Sequence, residues 1–423
     1  MRFTTLNGCL KPCAWVVFFL CGFVVNTKVA TADPVLTLGE AIAQTLEKNP
    51  QLYQYRFTET ALSAQRQASA LRPAIALSLD VENFAGSGDT QGLSAAETTV
   101  ALSSVIEMGN KRQARLSLAD ARLNRASWEQ QAVTLDVLGE LTASFIEGMA
   151  AQANILLAQE SLSLAQTVLA TARERSALGA TSEAEVMRAQ AAVVRAEVRL
   201  DYLTEALERQ KVLLARFWGE TRPSFSQFEG SLFEFGFSDS FEQLYARVQN
   251  SPAIQVFASE ARIKDAEVTL ARASGRSDLA WSLGIRRIEE VDDTAFTAGL
   301  SIPLFSNNRN KAEVQSALAS RNAVDYAQED MLLRLRARLF EAYSLRNQSI
   351  AAIEKTQAIA IPALEDALQL TQRAYEEGRY GYLDLIAAQE ELLATKQALI
   401  DTATSALISQ AFIERLSSEA LSD

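Results

Sequence analysis

The residues best suited to a chemical role lie in two glycine-led acidic segments about 200 residues apart. In each, an acid, Glu185 or Asp384, stands six residues after a glycine, Gly179 or Gly378. Such a glycine supplies the left-handed backbone that ends many helices, and an acid in the first turn of the next helix interacts favourably with the helix dipole. Ser182 with Glu185 also matches a capping box. We therefore predict helix ends at both glycines and favour a capping role for Glu185.

Other reactive residue types are scarce. The sequence has no histidine, its cysteines are Cys9, Cys13 and Cys21, and its methionines are widely separated, which argues against a soft or imidazole metal site. No phosphate loop or nucleophile elbow appears, so we predict neither an enzyme nor a bound cofactor. The net charge of −12 argues against nucleic acid as a partner. It suits a lumen that tolerates cations, although ordinary soluble helices would carry it as well.

Residues 1–32 have the pattern of a secretory signal peptide. A basic start with Arg2 and Lys11 precedes an apolar run over 14–25, and Ala30-Thr31-Ala32 is a small-residue cleavage site. An uncleaved anchor is the alternative, but the run is shorter than the roughly 20 residues of a spanning helix. No later segment looks apolar enough to span a membrane as a helix. The mature chain should begin at Asp33 and, because every cysteine lies in the leader, should form no disulfide.

The mature chain divides into two repeats of one plan, which we predict as domains 33–218 and 239–423 joined by a linker, 219–238. Each repeat opens with a capping-box pattern, from Thr37 to Glu40 or from Asp239 to Glu242. An Asn-Pro or a Ser-Pro pair then follows. The same order of features at matched positions is typical of an internal repeat.

Each repeat next carries two segments in which apolar residues alternate with polar or small ones. The apolar members are Ile75, Leu77, Leu79, Val81, Val100, Leu102 and Ile106, then Leu279, Trp281, Leu283, Ile285, Phe296, Ala298, Leu300, Ile302 and Leu304. A period of two predicts strands with one apolar face. The loops over 85–96 and 287–294 are rich in Gly, Asp, Glu or Ser, so each pair should form a hairpin. Strands of about ten residues have the length of a tilted membrane strand.

Long helices follow each hairpin. Residues 110–177 contain no proline, and at about 1.5 Å per residue they predict a helix approaching 100 Å. Its counterpart, 308–377, has coiled-coil spacing and should kink at Pro362. Returning helices should cover 183–218 and 382–417. Taken alone, these stripes would also fit a soluble helical bundle.

Four amphipathic strands are too few to close a membrane barrel, because small barrels use about eight or more. Open strand edges in lipid would leave backbone groups unpaired. The strands therefore either stay outside the membrane or combine across protomers. The simplest arrangement that closes the strands into a barrel and the helices into a tube is one with a continuous central pore.

This plan resembles the TolC-type outer-membrane efflux protein family. In chain length and general organisation it is similar to the heavy-metal (CzcC-like) branch of that family. The resemblance covers essentially the whole mature chain and is most specific at the helix tips, Leu178 to Glu185 and Tyr375 to Asp384. It implies a mainly α fold with a β-barrel portion: a homotrimer with a twelve-strand barrel in the outer-membrane lipid and a twelve-helix periplasmic tunnel. It also implies two partners, a periplasmic adaptor of the membrane fusion protein type and an inner-membrane transporter of the RND type.

The resemblance also assigns roles to the tips. The adaptor-docking residues it implies are Gly179, Ala180, Thr181, Ser182, Gly378, Arg379, Tyr380 and Gly381. Asp384 matches an acid that narrows the periplasmic entrance as a ring, with Glu185 as its counterpart, while Ala387 stands where many members have a second acid.

The implied function is a passive exit duct of a tripartite pump, with heavy-metal cations as one cargo. The alternatives are a channel for drug efflux or type I protein secretion, and a soluble periplasmic coiled-coil protein.

Overall fold

A computed structural model describes residues 35–236 and 239–418. The predicted signal peptide and its cysteines lie outside the described residues. The helices are α1 (Leu38–Lys48), α2 (Pro50–Ser69), α3 (Lys111–Ala177), α4 (Glu183–Ala215), α5 (Phe241–Val248), α6 (Pro252–Ser274), α7 (Ser306–Arg309), α8 (Lys311–Lys355), α9 (Ile361–Glu376) and α10 (Tyr382–Ser417). The strands are β1 (Val35–Leu36), β2 (Ala76–Glu82), β3 (Glu97–Ile106), β4 (Gln227–Phe228), β5 (Leu279–Ile288) and β6 (Asp293–Ser301).

The first helix of each repeat begins at a hydroxyl residue whose N–H donates to the side chain three residues later. The Thr37 hydroxyl accepts the Glu40 N–H at 3.2 Å while the Glu40 carboxylate accepts the Thr37 N–H at 3.1 Å, which confirms the predicted box. In the second repeat Ser240 caps α5, and its N–H donates to Gln243 at 3.0 Å. The predicted pairing of Asp239 with Glu242 is wrong, because Asp239 forms an ion pair with Arg247 instead.

Strands β2, β3, β5 and β6 form one antiparallel sheet in that order, so the hairpins of the two repeats pair through β3 and β5. The register places Leu79 opposite Val100, Val100 opposite Ile285, and Ile285 opposite Phe296. These apolar side chains share one exposed face, while the other face carries polar and small side chains, as the alternation predicted. The outer edges of β2 and β6 have no partner strand among the described residues.

The second hairpin is tighter than predicted. Arg287 pairs with Thr294 and Ile288 with Asp293, so the loop covers 289–292 rather than 287–294. The polar and charged residues there mark a loop by composition, yet the strand ladder extends through Arg287 and Thr294.

Two long antiparallel helix pairs make up most of the remaining fold. The predicted first long helix is confirmed, since α3 has 67 residues and would extend about 100 Å at 1.5 Å per residue. Its counterpart is interrupted, because α8 passes through a π-helical segment, Thr356–Ala360, into α9. Pro362 lies at the start of α9 and lacks the N–H that a continuous α-helix would require. The predicted interruption is therefore present, as a wider turn just before the proline.

Helix α3 also includes an 18-residue window with a mean hydropathy of 1.2, which by length and composition alone could cross a membrane. The expectation that no segment after the leader reaches this level is therefore wrong. The same helix supplies Phe145, Ile146 and Ala150 to buried clusters. Of the apolar window, 39% is buried inside the protein, so helix packing accounts for part of its apolar character.

The segment between the repeats packs against α3. Strand β4 pairs in parallel with β1, and Phe228 of β4 meets Phe145 edge-on with 5.3 Å between ring centroids. A Cβ at position 148 would lie 2.3 Å from the Phe228 ring, so Gly148 is needed for this approach. Trp218 and Phe225 complete the cluster.

Candidate functional site at the helix tips

Both helix tips end with the same backbone device. At the first tip, which joins α3 to α4, the Ala180 N–H donates to the Arg175 carbonyl at 2.8 Å and the Gly179 N–H to the Ser176 carbonyl at 3.0 Å. At the second, which joins α9 to α10, the Arg379 N–H donates to the Ala374 carbonyl at 2.8 Å and the Gly378 N–H to the Tyr375 carbonyl at 3.0 Å. This pattern is the Schellman motif, and the glycines adopt φ of +67° and +74°. The predicted left-handed glycine caps are therefore confirmed at both positions.

The two tips lie at the same end of the molecule and contact each other. Tyr375, Tyr382 and Leu385 of the second tip are buried in one cluster with residues of α3 and α4. Arg175, just before the first tip, places its guanidinium 4.5 Å from the centroid of the Tyr375 ring. A Cβ at position 378 would lie 3.7 Å from the same guanidinium, so Arg175 also underlies the second glycine cap.

The Glu185 carboxylate does not form the predicted box with Ser182. Ser182 is the N-cap of α4 but makes no side-chain capping bond, while the Thr181 hydroxyl donates to the Glu185 carboxylate. The capping prediction for Glu185 is therefore wrong, because Thr181, one residue earlier, takes the carboxylate. Sequence spacing favours the serine, and only the local backbone course decides between the two hydroxyls.

The Asp384 carboxylate turns back towards its own helix start. It accepts the Gly381 N–H at 2.9 Å and satisfies one of the free donors at the beginning of α10. The side chain is exposed, as is Ala387 one turn further on. The cap contact and a role at the entrance are compatible, because this bond uses one oxygen of an exposed carboxylate.

The predicted docking residues are exposed, apart from a half-buried Thr181. Around them Leu178 is 84% exposed, Leu383 66% and Tyr380 53%. Arg379 is paired with Glu377 within the second tip. The two tips together present large apolar side chains beside the Arg379–Glu377 ion pair, which is a composition suited to contact with another protein.

The comparison with known families covers most of the chain. The family described as outer membrane efflux protein matches residues 41–220 and 244–418. The chain belongs to this family. The resemblance drawn from the tips and the repeat plan is thus confirmed.

Individual relatives give the same picture. The cobalt-zinc-cadmium resistance protein CzcC of Cupriavidus metallidurans is 27% identical over 302 residues, 71% of this chain and 72% of that protein. The nickel-cobalt-cadmium resistance protein NccC of Alcaligenes xylosoxydans xylosoxydans is 25% identical over 57% of this chain and 55% of its own length. The crystal structure of the outer membrane protein VceC from Vibrio cholerae superposes with a TM-score of 0.72 at 20% identity, covering 90% of this chain and 96% of that one.

As an outer membrane efflux protein, the chain is a channel component of the outer membrane with a periplasmic helical part. Members of this family work in tripartite pumps with an adaptor and an inner-membrane transporter. Within residues 35–236 and 239–418, no group of three or more acidic, histidine or cysteine side chains is arranged to hold a metal ion.

The sequence does not predict the contacts that three residues at the tips of this efflux protein make: Arg175, Tyr375 and Tyr382. Burial, followed by the charge of Glu185, raises the pKa of the Tyr375 hydroxyl, while the neighbouring Arg175 opposes that rise. Burial also raises the pKa of Tyr382. The Tyr375 hydroxyl is buried without a hydrogen-bond partner of ordinary geometry in the described chain. Aromatics that flank the second glycine were the available signal, but their burial depends on contacts with α3 and α4.

The polar face of the sheet carries a second group of charges. The Arg286 guanidinium lies 2.6 Å from the Glu97 carboxylate and 3.3 Å from that of Glu82, and it donates to the Thr99 hydroxyl at 3.0 Å. Asp80 belongs to the same face, since it pairs in register with Thr99. Three carboxylates against one guanidinium make this face acidic.

Proposed function

We propose that three copies of this chain form one exit duct, with a twelve-strand barrel in the outer membrane and a twelve-helix tunnel in the periplasm. The observation that carries the proposal is the four-stranded sheet with one exposed apolar face and two open edges. Lipid offers no hydrogen bonds to the edges of β2 and β6, so the sheet must close on others of its kind. Three sheets give a barrel within the range of known outer-membrane proteins.

We propose domain boundaries that follow the repeats: 33–218, a linker over 219–238, and 239–423. The proposal is supported by the family match, which falls into two segments, and by the repeated order of capped helix, hairpin, long helix and returning helix. Each repeat supplies one hairpin to the sheet.

The cargo that we propose is a heavy-metal cation. Support comes from the two relatives whose names refer to cobalt, zinc, nickel and cadmium resistance. The acidic polar face of the sheet, with Asp80, Glu82 and Glu97 around Arg286, would favour cations if it lines the lumen.

At the opposite end, the exposed tips are the proposed docking surface for a periplasmic adaptor, which would connect the duct to an inner-membrane transporter of the RND type. Three copies of Asp384 are proposed to form an acidic ring at the entrance. Its position in the first turn of α10 and its exposure support this role. Glu185, which is bonded to Thr181 and near Tyr375, is the weaker candidate for the gate.

The cargo is tested by complementing a strain that lacks this channel and keeps its pump partners. We expect restored growth on cobalt, zinc and cadmium salts and no change in resistance to a lipophilic drug. Protection against the drug alone would identify a drug efflux channel. Loss of a secreted protein in the deletion strain, with normal metal resistance, would identify a type I secretion channel.

A further inference from the structure

Two grooves below the sheet are lined by basic side chains. One lies between α3 and α6, where its lining includes Gly109, Asn110, Gln113, Arg272 and Arg276. The other lies between α6 and α8 and is lined by Arg272, Arg276, Asn310, Lys311 and Val314. Arg272 and Arg276 are common to both, so the grooves form one basic surface. In the part of the chain that the structure describes, no carboxylate lines either groove.

The basic residues of this surface differ from their neighbours in having no ionic partner among the described residues. Glu107 forms an ion pair with Arg115, and Asp278 lies 2.8 Å from the Lys111 ammonium. Within residues 35–236 and 239–418, no ion pair joins Arg272, Arg276 or Lys311 to a carboxylate. These three exposed charges are therefore available to an anion from outside the chain.

The surface lies on the lipid-facing side of the wall. Glu107 and Asp278 follow the last pair of β3 and β5, Ile106 with Leu279, and so continue the polar face of the sheet. Arg115, which binds Glu107, must lie on that polar side. Gln113, two residues earlier on α3, is about 200° away around the helix. The first groove, which Gln113 lines, therefore opens on the side of the apolar face, and the second groove shares Arg272 and Arg276 with it.

The local backbone holds one of the basic residues in place. Gly109 has a φ of +72°, and a Cβ there would lie 2.5 Å from the Cγ of Arg276. The stem of Arg276 thus crosses directly over the glycine. Just above, the apolar face ends in Ile302, Leu304 and Phe305, which are 56%, 72% and 77% exposed. Apolar side chains next to unpaired basic ones match the boundary between acyl chains and headgroups.

We infer that this surface, Arg272, Arg276 and Lys311, binds the phosphate headgroup of an anionic phospholipid in the periplasmic leaflet of the outer membrane. The periplasmic leaflet is the one concerned, because the long helices leave the sheet at this end. The two grooves have volumes of about 410 and 320 Å³, near the lower limit of ordinary ligand sites, so each suits a headgroup rather than a whole lipid. The inference rests on the sheet lying in the membrane and is independent of cargo.

Native mass spectrometry of the detergent-purified full-length protein tests the inference. The protein is titrated with phosphatidylglycerol, with phosphatidylethanolamine of the same acyl chains, and with inorganic phosphate. We expect phosphatidylglycerol to bind at least about tenfold more tightly than phosphatidylethanolamine, since each basic residue near an anionic surface contributes roughly fivefold in affinity. The triple variant R272Q/R276Q/K311Q should lose most of this preference, and R272K/R276K should keep it.

A matched control removes three exposed positive charges elsewhere, in R188Q/R195Q/K355Q, and should bind both lipids as the wild type does. Equal affinity for the two lipids, or an equal loss in the control, would overturn the inference. Inorganic phosphate that displaces phosphatidylglycerol at millimolar concentration would also overturn it, by showing a site for the free anion. Size-exclusion profiles identical to wild type establish that the variants are folded.

Discussion

The two helix tips share one backbone and differ in how they use their side chains. Gly179 and Gly378 make the same Schellman caps, and each is followed six residues later by an acid. The first tip is open, since no described atom lies within 4 Å of a Cβ built on Gly179. The second rests on Arg175 and on two buried tyrosines. The repeated tip thus keeps its backbone geometry while its side-chain contacts diverge, and the second tip has the more extensive buried contacts beside its glycine.

The largest expected difference between the tips concerns their buried aromatic residues. Tyr375 is 1% exposed, and Tyr375→Ala should cost about 3–5 kcal/mol of local stability, as large aromatic truncations in cores do. The matched change Tyr380→Ala, at a side chain that is 53% exposed, should cost less than about 0.5 kcal/mol. Amide hydrogen exchange at the end of α9 measures both. Similar protection in the two variants would mean that the buried contacts do not stabilise the second tip.

A smaller effect is expected at the glycine caps. Gly378→Val must adopt left-handed backbone, which costs about 1–2 kcal/mol, and should weaken cross-linking to the adaptor without dissociating the oligomer. Gly179→Val carries the same strain in an open tip and should leave the α9–α10 junction unchanged by hydrogen exchange. Undiminished adaptor cross-linking and full resistance in Gly378→Val would argue against docking at this tip.

The two acids should differ in how they respond to cations. Asp384→Asn should relieve the block of single-channel conductance by a trivalent cation added on the periplasmic side, because it removes a charge from the proposed ring. It should cost only about 0.3–1 kcal/mol of stability. Glu185→Gln should leave the block in place, because the Glu185 carboxylate is bonded to the Thr181 hydroxyl of its own tip. If wild type and Asp384→Asn are blocked alike, Asp384 acts only as a helix cap.

The smallest effect is a shift in tyrosine ionisation. Because the pKa values of Tyr375 and Tyr382 are raised in the folded protein, folding favours their protonated forms. The stability that this contributes is present below the ordinary tyrosine pKa of about 10 and is lost as pH rises through the folded values. Ultraviolet difference titration of Tyr375→Phe should remove one late-ionising group. Glu185→Gln should lower the pKa of Tyr375, and an unchanged titration would show that the two groups do not interact.

Features that depend on neighbouring residues in the chain could be predicted from the sequence. The alternation around Leu79 and Leu283, the helix of α3 and the caps at Gly179 and Gly378 follow from period, length and backbone preference. Errors arose where two side chains compete for one partner. Asp239 forms an ion pair with Arg247, and the Glu185 carboxylate accepts a hydrogen bond from Thr181. Sequence spacing alone does not decide which of two possible partners a side chain binds.

Long-range contacts could not be predicted from the sequence, for a different reason. Arg175 and Tyr375 are 200 residues apart, and their stacking depends on how the two helix pairs lie against each other. The basic surface around Arg272 likewise requires the register between β3 and β5, which decides the side of the wall on which each charge lies. No local pattern encodes either arrangement.

The number of chains in the membrane-extracted protein is the most direct test of the proposed three-chain barrel. Native mass spectrometry in mild detergent, together with protease digestion of intact outer membranes, measures both assembly and insertion. The open edges of β2 and β6 predict a particle of three chains in which residues 76–106 and 279–301 resist digestion. A stable monomer whose hairpins are cleaved in intact membranes would contradict the account.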